Sequence, residues 1–219
     1  MKKEIKYYLL TGFLLLVLFA VFTAAVQNFD VLLNEATKTE VGFGALNFWF
    51  HKITGVNMLF YHITDWLGLV PIFICFLFGA LGFIQLIKRK SLLKVDHDIL
   101  LLGIYYVIVI IAYLVFEMIP INYRPILIEG RLEASYPSST TLLVLSVMPT
   151  LVFEAKRRLK NQKVIKIITF SSVVFAVFIV IGRLISGVHW LTDIIGSLLF
   201  SGGLYSVLKA TMILCCKDK

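Results

Sequence analysis

Six long apolar runs constrain this chain more than any other feature of its sequence. They cover residues 7–26, 65–87, 99–119, 138–153, 164–184 and 190–214. A helix needs about 20 mostly apolar residues to cross a bilayer core. Only 16% of the residues are charged, whereas a soluble domain carries about 25%. The sequence therefore predicts an all-α, polytopic membrane protein with six transmembrane helices. Because no internal repeat or linker divides it, we expect residues 1–219 to form a single domain.

The basic residues are unevenly distributed between the loops that join these runs. If the N-terminus lies in the cytoplasm, sixteen of the 21 lysines and arginines fall on the inner side. The outer side keeps Lys38, Lys52, Arg124, Arg131 and Arg183. Cytoplasmic loops carry an excess of positive residues, so we expect both termini inside a cell membrane. The net charge of +8 then reflects topology, and no nucleic-acid partner is indicated.

Three further features complete the topology. The first apolar run is long enough to span and lacks a cleavage site, so we expect it to be retained. Residues 41–60 are rich in aromatic residues and predict an interfacial or re-entrant helix. The spacing of Cys75, Cys215 and Cys216 fits neither a disulfide nor a metal site. We expect Cys75 to pack in the apolar interior, and the role of the cytoplasmic Cys215–Cys216 pair, including lipidation, stays open.

The residues able to carry chemistry concentrate between residues 182 and 193. His189 and Asp193 are four positions apart, which on a helix places their Cβ atoms about 5–6 Å apart on one face. A carboxylate in that position can hold one imidazole nitrogen and leave the other free as a base or nucleophile. Arg183 adds a planar, permanently charged group suited to phosphate. A membrane-end ion pair with a snorkelling arginine is the structural alternative, but ionisable groups at membrane depth are usually functional.

Two other segments are expected at the same outer face. One ends the third run and contains Arg124. The other begins the fourth run, where Pro137 precedes hydroxyl residues and predicts a helix N-terminus. Its free N–H groups form an anion site, to which Ser138 and Ser139 can add hydrogen bonds, although a simple capping signal is the alternative. Together with the oriented histidine, these groups predict a phosphate-transfer pocket.

The order Arg-Pro, Pro-Ser-x-x and Arg-x5-His-x3-Asp resembles the type 2 phosphatidic acid phosphatases (PAP2), integral-membrane lipid phosphatases that share a core with the vanadium haloperoxidases. The resemblance covers residues 117–193 and implies a PAP2-like helical core. It implies that His189 attacks phosphorus and becomes phosphorylated, and that Asp193 orients it. It also implies phosphate binding by Arg124, Arg183 and Ser138, beside which Ser139 is a further candidate.

Two positions depart from the family pattern. Glu117 stands where the family has a lysine that binds phosphate, and Thr140 stands where it has a histidine that protonates the leaving group. An anion beside phosphate is unfavourable unless Glu117 is protonated, is turned away, or pairs with an arginine such as Arg131. Thr140 cannot act as an acid near neutral pH, which removes a contribution of about 10²–10⁴-fold. The candidate replacement acids are Glu117, Glu129 and Glu133.

The absence of a general acid at position 140 predicts a substrate preference. A phosphomonoester must expel an alkoxide, which needs a proton, whereas a diphosphate expels a phosphate ester that leaves unprotonated. We therefore expect hydrolysis of a polyprenyl diphosphate, such as undecaprenyl diphosphate, at the extracytoplasmic face. We expect no cofactor or metal, because arginines and backbone N–H groups meet the phosphate charge. A PAP2-like protein that only binds or transports phospholipid is the alternative, and a purely structural membrane protein is a third.

Overall fold

The computed structural model describes residues 1–216, so Lys217 and Lys219 of the charge count lie outside the described residues. The chain forms eight α-helices, one short 3₁₀ helix (Leu92–Lys94) and one short hairpin in the described part. The helices are α1 (Lys2–Asn28), α2 (Gly44–Thr54), α3 (Met58–Leu67), α4 (Leu69–Arg89), α5 (His97–Met118), α6 (Ser139–Arg158), α7 (Gln162–Ile185) and α8 (Leu191–Cys215). The strands β1 (Leu32–Asn34) and β2 (Thr39–Val41) pair antiparallel, with Leu32 opposite Val41.

Six helical segments are long and apolar enough to cross a membrane, which confirms the predicted class and number of spans. The second begins seven residues earlier than predicted, because α3 and α4 continue one another as a 32-residue segment, Met58–Arg89. Polar side chains near residue 58 obscured the start of this span in the sequence. In the structure Thr64 is buried, and its hydroxyl donates to the carbonyl oxygen of Phe60 at 2.7 Å.

The fourth span continues five residues beyond the prediction, to Arg158. Charged residues marked its end in the sequence, but they are paired in the structure. Arg158 contacts Glu154 of its own helix at 2.7 Å and Asp98 at the start of α5 at 2.7 Å. A buried carboxylate such as Glu154 requires a partner of this kind, so the ion pairs allow α6 to extend past the apolar run.

The segment between the first two spans differs from the single interfacial helix predicted over residues 41–60. The hairpin precedes α2, which starts after Phe43 in a left-handed conformation with φ 48°. The helix then ends at Gly55, where φ is 61°. A positive φ favours glycine at such an ending. The chain consequently turns after α2 and enters the membrane as α3.

The most extensive helix contact joins α1 and α8, and small residues bring these two helices close together. A Cβ atom on Gly203 would lie 2.8 Å from the Leu16 side chain, and one on Gly12 would lie 2.8 Å from Val207. Small residues let membrane helices pack backbone to backbone. Since α8 also packs against α6, α1 fixes the helix that carries one wall of the site described below.

The antiparallel spans bring the three polar segments to one end of the bundle. This end holds the carboxyl ends of α5 and α7 and the amino ends of α3, α6 and α8. The basic loops around residues 88–94 and 156–166 lie at the opposite end. The sequence prediction that the candidate residues share one face is therefore met by the helix directions.

We expect Gly203→Ile to destabilise the protein by about 1–3 kcal/mol, because the side chain would overpack against Leu16. Gly103→Ile is the matched control, since a Cβ atom there meets nothing within 4 Å. Thermal unfolding of both variants in detergent measures the difference. Equal melting temperatures for the two variants would contradict the close α1–α8 packing.

Candidate active site

His189 lies between an arginine and an aspartate in a buried row. Its Nε2 atom is 3.2 Å from Nη2 of Arg183, and its Nδ1 atom is 3.3 Å from Oδ2 of Asp193. A guanidinium has donors only, so Nε2 accepts from Arg183 and Nδ1 carries the proton that faces Asp193. The tautomer places the free electron pair of Nε2 beside the arginine, where a nucleophile for a bound phosphate is needed.

A glycine allows this row to form at the turn between α7 and α8. Gly187 has φ 66°, and a Cβ atom on it would lie 1.8 Å from the carbonyl oxygen of Gly55. Two residues further along the linker, Asn57 donates its N–H to the carbonyl oxygen of Ser186 at 2.9 Å. The linker between α2 and α3 therefore lies directly on the turn and holds it closed, which only glycine at position 187 permits.

Asp193 joins the histidine to the start of two helices. Its Oδ2 atom accepts the N–H of Trp190 at 2.8 Å, which caps α8. Its carbonyl oxygen accepts the N–H of Ser138, just before α6, at 3.2 Å. The indole of Trp190 donates to the carbonyl oxygen of Tyr123 at 2.7 Å. The three segments predicted to meet are thus connected by hydrogen bonds.

Both candidate phosphate-binding arginines contact the ring of Tyr61. The Cζ atoms of Arg183 and Arg124 lie 5.1 Å and 5.6 Å from the ring centroid. The aromatic face stabilises two like charges that would otherwise repel. Arg124 Nη1 and Arg183 Nε are buried and have no hydrogen-bond acceptor within residues 1–216. Buried donors of this kind usually have a partner, and an anion between the two arginines would supply one.

The N-terminus of α6 is connected to Asp193 by the Ser138 N–H. The first helical bond runs from the Leu142 N–H to the Ser138 carbonyl oxygen at 2.8 Å, so the preceding N–H groups lack helical partners. The Ser138 hydroxyl does not cap them and instead donates to Thr141 at 3.0 Å. Ser138 is fully buried, whereas Ser139 and Thr140 are half-buried. An uncapped helix N-terminus is suited to an anion.

Each of the two arginines pairs with a carboxylate in this structure. Arg124 pairs with Glu133 at 3.1 Å, and Nη1 of Arg183 lies 3.6 Å from Oδ1 of Asp65. Glu133 is one of the candidate replacement acids predicted from the sequence. Asp65 and Tyr61 were not predicted as site residues. An ionisable residue at the start of an apolar run is itself a signal of function, and it would have identified Asp65. Tyr61 carried no comparable signal.

An apolar cleft of about 430 Å³ begins at this polar site. Asp65, Ser139 and Thr140 lie at its polar end. Its walls come from α4, α5 and α6, and include Ile72, Val109, Tyr113, Leu143 and Val147. The cleft has the polarity expected for an amphiphile whose head lies at the arginines.

The remaining predicted residues lie outside the row. Glu117 is exposed at the end of α5, and it pairs neither with Arg131 nor with any other charge among the described residues. It lines a recess of about 10 Å³ together with Ser139. Glu129 and Arg131 lie at the exposed tip of the loop before α6. Glu117 is therefore turned away from the arginines, which was one of the arrangements expected for it.

The surroundings of His189 favour its neutral form. Burial lowers the pKa of His189 well below its ordinary value, and the positive charges of Arg183 and Arg124 lower the pKa further. A hydrogen bond to the backbone of Ser135 acts in the opposite direction. The imidazole therefore remains unprotonated at neutral pH, as a nucleophile must.

Comparison with known proteins agrees with this geometry. The model of the PAP2 superfamily matches residues 117–213. A crystal structure of a transmembrane PAP2-type phosphatidylglycerolphosphate phosphatase from Bacillus subtilis is similar over 95% of this chain and 99% of that chain, with 18% identity and a TM-score of 0.68. The chain therefore has the fold of a transmembrane PAP2 protein along nearly its whole length. None of the curated proteins compared matches the sequence significantly.

The candidate site contains hydrogen-bond donors, and the described residues hold no metal-ligand cluster there. Within residues 1–216, no group of three His, Cys, Asp or Glu side chains is placed to hold a metal ion. Two guanidinium groups, a helix N-terminus and a neutral imidazole are the groups that the PAP2 fold brings together here. They suit an anion with an electrophilic centre, which is the chemistry of a phosphate ester.

We expect His189 to titrate below pH 6.5, its ordinary value, and Arg183→Gln to raise its pKa by removing an adjacent positive charge. Imidazole ¹⁵N NMR of the detergent-solubilised protein, with His189→Gln for assignment, measures both effects. Because the unfolded chain binds the proton more readily, stability should fall as the pH drops below 6.5. Titration of His189 above pH 6.5 would contradict the buried row.

Proposed function

We propose that this protein is a membrane lipid phosphatase that acts through a phosphohistidine on His189, with a polyprenyl diphosphate such as undecaprenyl diphosphate as its substrate. The observation that carries the proposal is the row Arg183–His189–Asp193, in which Nε2 of the histidine lies 3.2 Å from the guanidinium. A phosphate held by that guanidinium has its phosphorus atom within reach of the nucleophile.

The mechanism follows from the groups around His189. Arg124, Arg183 and the N–H groups of α6 bind the terminal phosphate and stabilise charge on its equatorial oxygens. The Nε2 atom forms a bond to phosphorus, and the bond from phosphorus to the leaving oxygen breaks. Asp193 stabilises the resulting phosphoimidazolium through the Nδ1 proton, as a carboxylate does for a histidine in acyl transfer. Water then hydrolyses the phosphohistidine.

The cleft and Thr140 support a lipid diphosphate. The apolar walls next to the site fit a hydrocarbon chain better than a soluble phosphate ester. Thr140 lies at the junction of cleft and site, where a family histidine would protonate an alkoxide. A polyprenyl monophosphate is a far better leaving group than an alkoxide, so the missing proton matters least for a diphosphate.

The proposal includes the extracytoplasmic location of the site. The basic loops lie at the other end of the helices, and cytoplasmic loops are the positive ones. The substrate would then come from the outer leaflet, and its lipid monophosphate product would remain there. Both termini would lie in the cytoplasm.

The main test supplies ³²P-labelled substrate to purified protein. We expect release of phosphate from undecaprenyl diphosphate, transient ³²P on His189, and a loss of at least about 10³-fold in His189→Ala, since the nucleophile is removed. Activity should persist in a chelator, and vanadate should inhibit. Headgroup binding without turnover, unchanged in His189→Ala, would instead support the alternative of a protein that binds or transports phospholipid.

A comparison of substrates with different leaving groups tests the choice of substrate separately. We expect the wild-type protein to hydrolyse undecaprenyl diphosphate faster than phosphatidate or phosphatidylglycerol phosphate. Thr140→His should raise turnover of the two monoesters by about 10²-fold, because it restores a proton donor. The same change should affect the diphosphate much less. Faster turnover of monoesters by the wild-type protein would contradict the preference.

A further inference from the structure

We propose that Asp65 is the general base that activates water for hydrolysis of the phosphohistidine; this inference rests on the function proposed above. Asp65 belongs to α3, outside the residues that match the PAP2 model. Its carboxylate lies 3.6 Å from the guanidinium of Arg183. It also lies at the polar end of the apolar cleft, together with Thr140.

The directions of the two displacement reactions at phosphorus show where a general base must lie. The leaving oxygen joins the phosphate to the hydrocarbon chain, so it must lie where the cleft meets the site. In-line displacement places this oxygen opposite Nε2 of His189 across the phosphorus atom. Water that hydrolyses the phosphohistidine must approach from the same side, after the lipid monophosphate has left. Asp65 is the carboxylate at that junction.

The groups present account for every proton that moves in the two steps. In the first step, the electron pair of the broken phosphorus–oxygen bond leaves with the polyprenyl monophosphate, and no proton is required. In the second step, the water oxygen bonds to phosphorus while Asp65 takes one of its protons. The phosphorus–nitrogen bond breaks and returns its electron pair to Nε2. The side chain of Asp65 is 54% exposed, so it can release the proton to water.

The other candidate groups are less suited to this role. Thr140 has no basic form near neutral pH. Glu133 lies 3.1 Å from Arg124 and does not line the cleft, whereas Asp65 does. Glu117 does not line the cleft, and the adjoining recess that it lines has a volume of about 10 Å³, which is at the lower limit for one water molecule.

Rapid-quench kinetics with undecaprenyl diphosphate, labelled with ³²P in the terminal phosphate, test the assignment on the full-length protein. In Asp65→Asn we expect a burst of one lipid monophosphate per protein, followed by turnover slowed about 10²-fold or more. The ³²P should persist on His189. Vanadate should bind at least as tightly as to the wild type, because Arg183 loses its competing anion.

Matched variants separate this role from a structural one. Asp65→Glu should keep most of the hydrolysis rate, Glu40→Gln on exposed β2 should behave as the wild type, and Asp65→Asn with Thr140→His should recover hydrolysis through the new imidazole. Weakened vanadate binding with both steps slowed equally in Asp65→Asn would overturn the assignment, as would hydrolysis of its phosphohistidine at the wild-type rate. A wild type without phosphohistidine would overturn the proposed function as well.

Discussion

The buried contact between Arg183 and His189 is the interaction on which the rest of the site depends. A guanidinium with no exposed surface is costly unless its charge is met by partners, and Arg183 is fully buried. Its partners are the lone pair of His189, the ring of Tyr61 and the carboxylate of Asp65. The same contact selects the histidine tautomer, which in turn requires a hydrogen-bond acceptor at Asp193. One charged side chain thus orders α3, α7 and α8 around a single point.

The arrangement also explains why both arginines have carboxylate partners here. Two guanidinium groups that contact one aromatic ring repel each other, and the carboxylates of Glu133 and Asp65 reduce that repulsion. Under the proposed function, a phosphate with two negative charges would interact with both arginines and reduce the repulsion in the same way. Carboxylates at a phosphate site therefore need not weaken it. In this structure they hold the two arginines in position.

Much of the candidate site follows from sequence spacing. Arg183 lies in the last turn of α7, Asp193 in the first turn of α8, and His189 in the short turn between them rather than on a helix, so their closeness in sequence already places them together. Arg124 and Ser138 follow from the antiparallel order of the spans, which brings their segments to the same end of the bundle. Asp65 and Tyr61 could not be inferred in this way. They lie on α3, more than 120 residues before the histidine, and nothing in their local spacing relates them to it.

The sequence by itself determined the number of spans, the loops that carry positive charge and the triad around His189, because each depends on composition or on neighbours a few residues apart. Only the tertiary structure decided which carboxylates face the arginines, that Glu117 turns away, and that an apolar cleft ends at Thr140. Those features depend on how α3, α4 and α5 pack against α6. Side-chain burial between distant helices is set by close packing of the whole bundle and not by any local pattern.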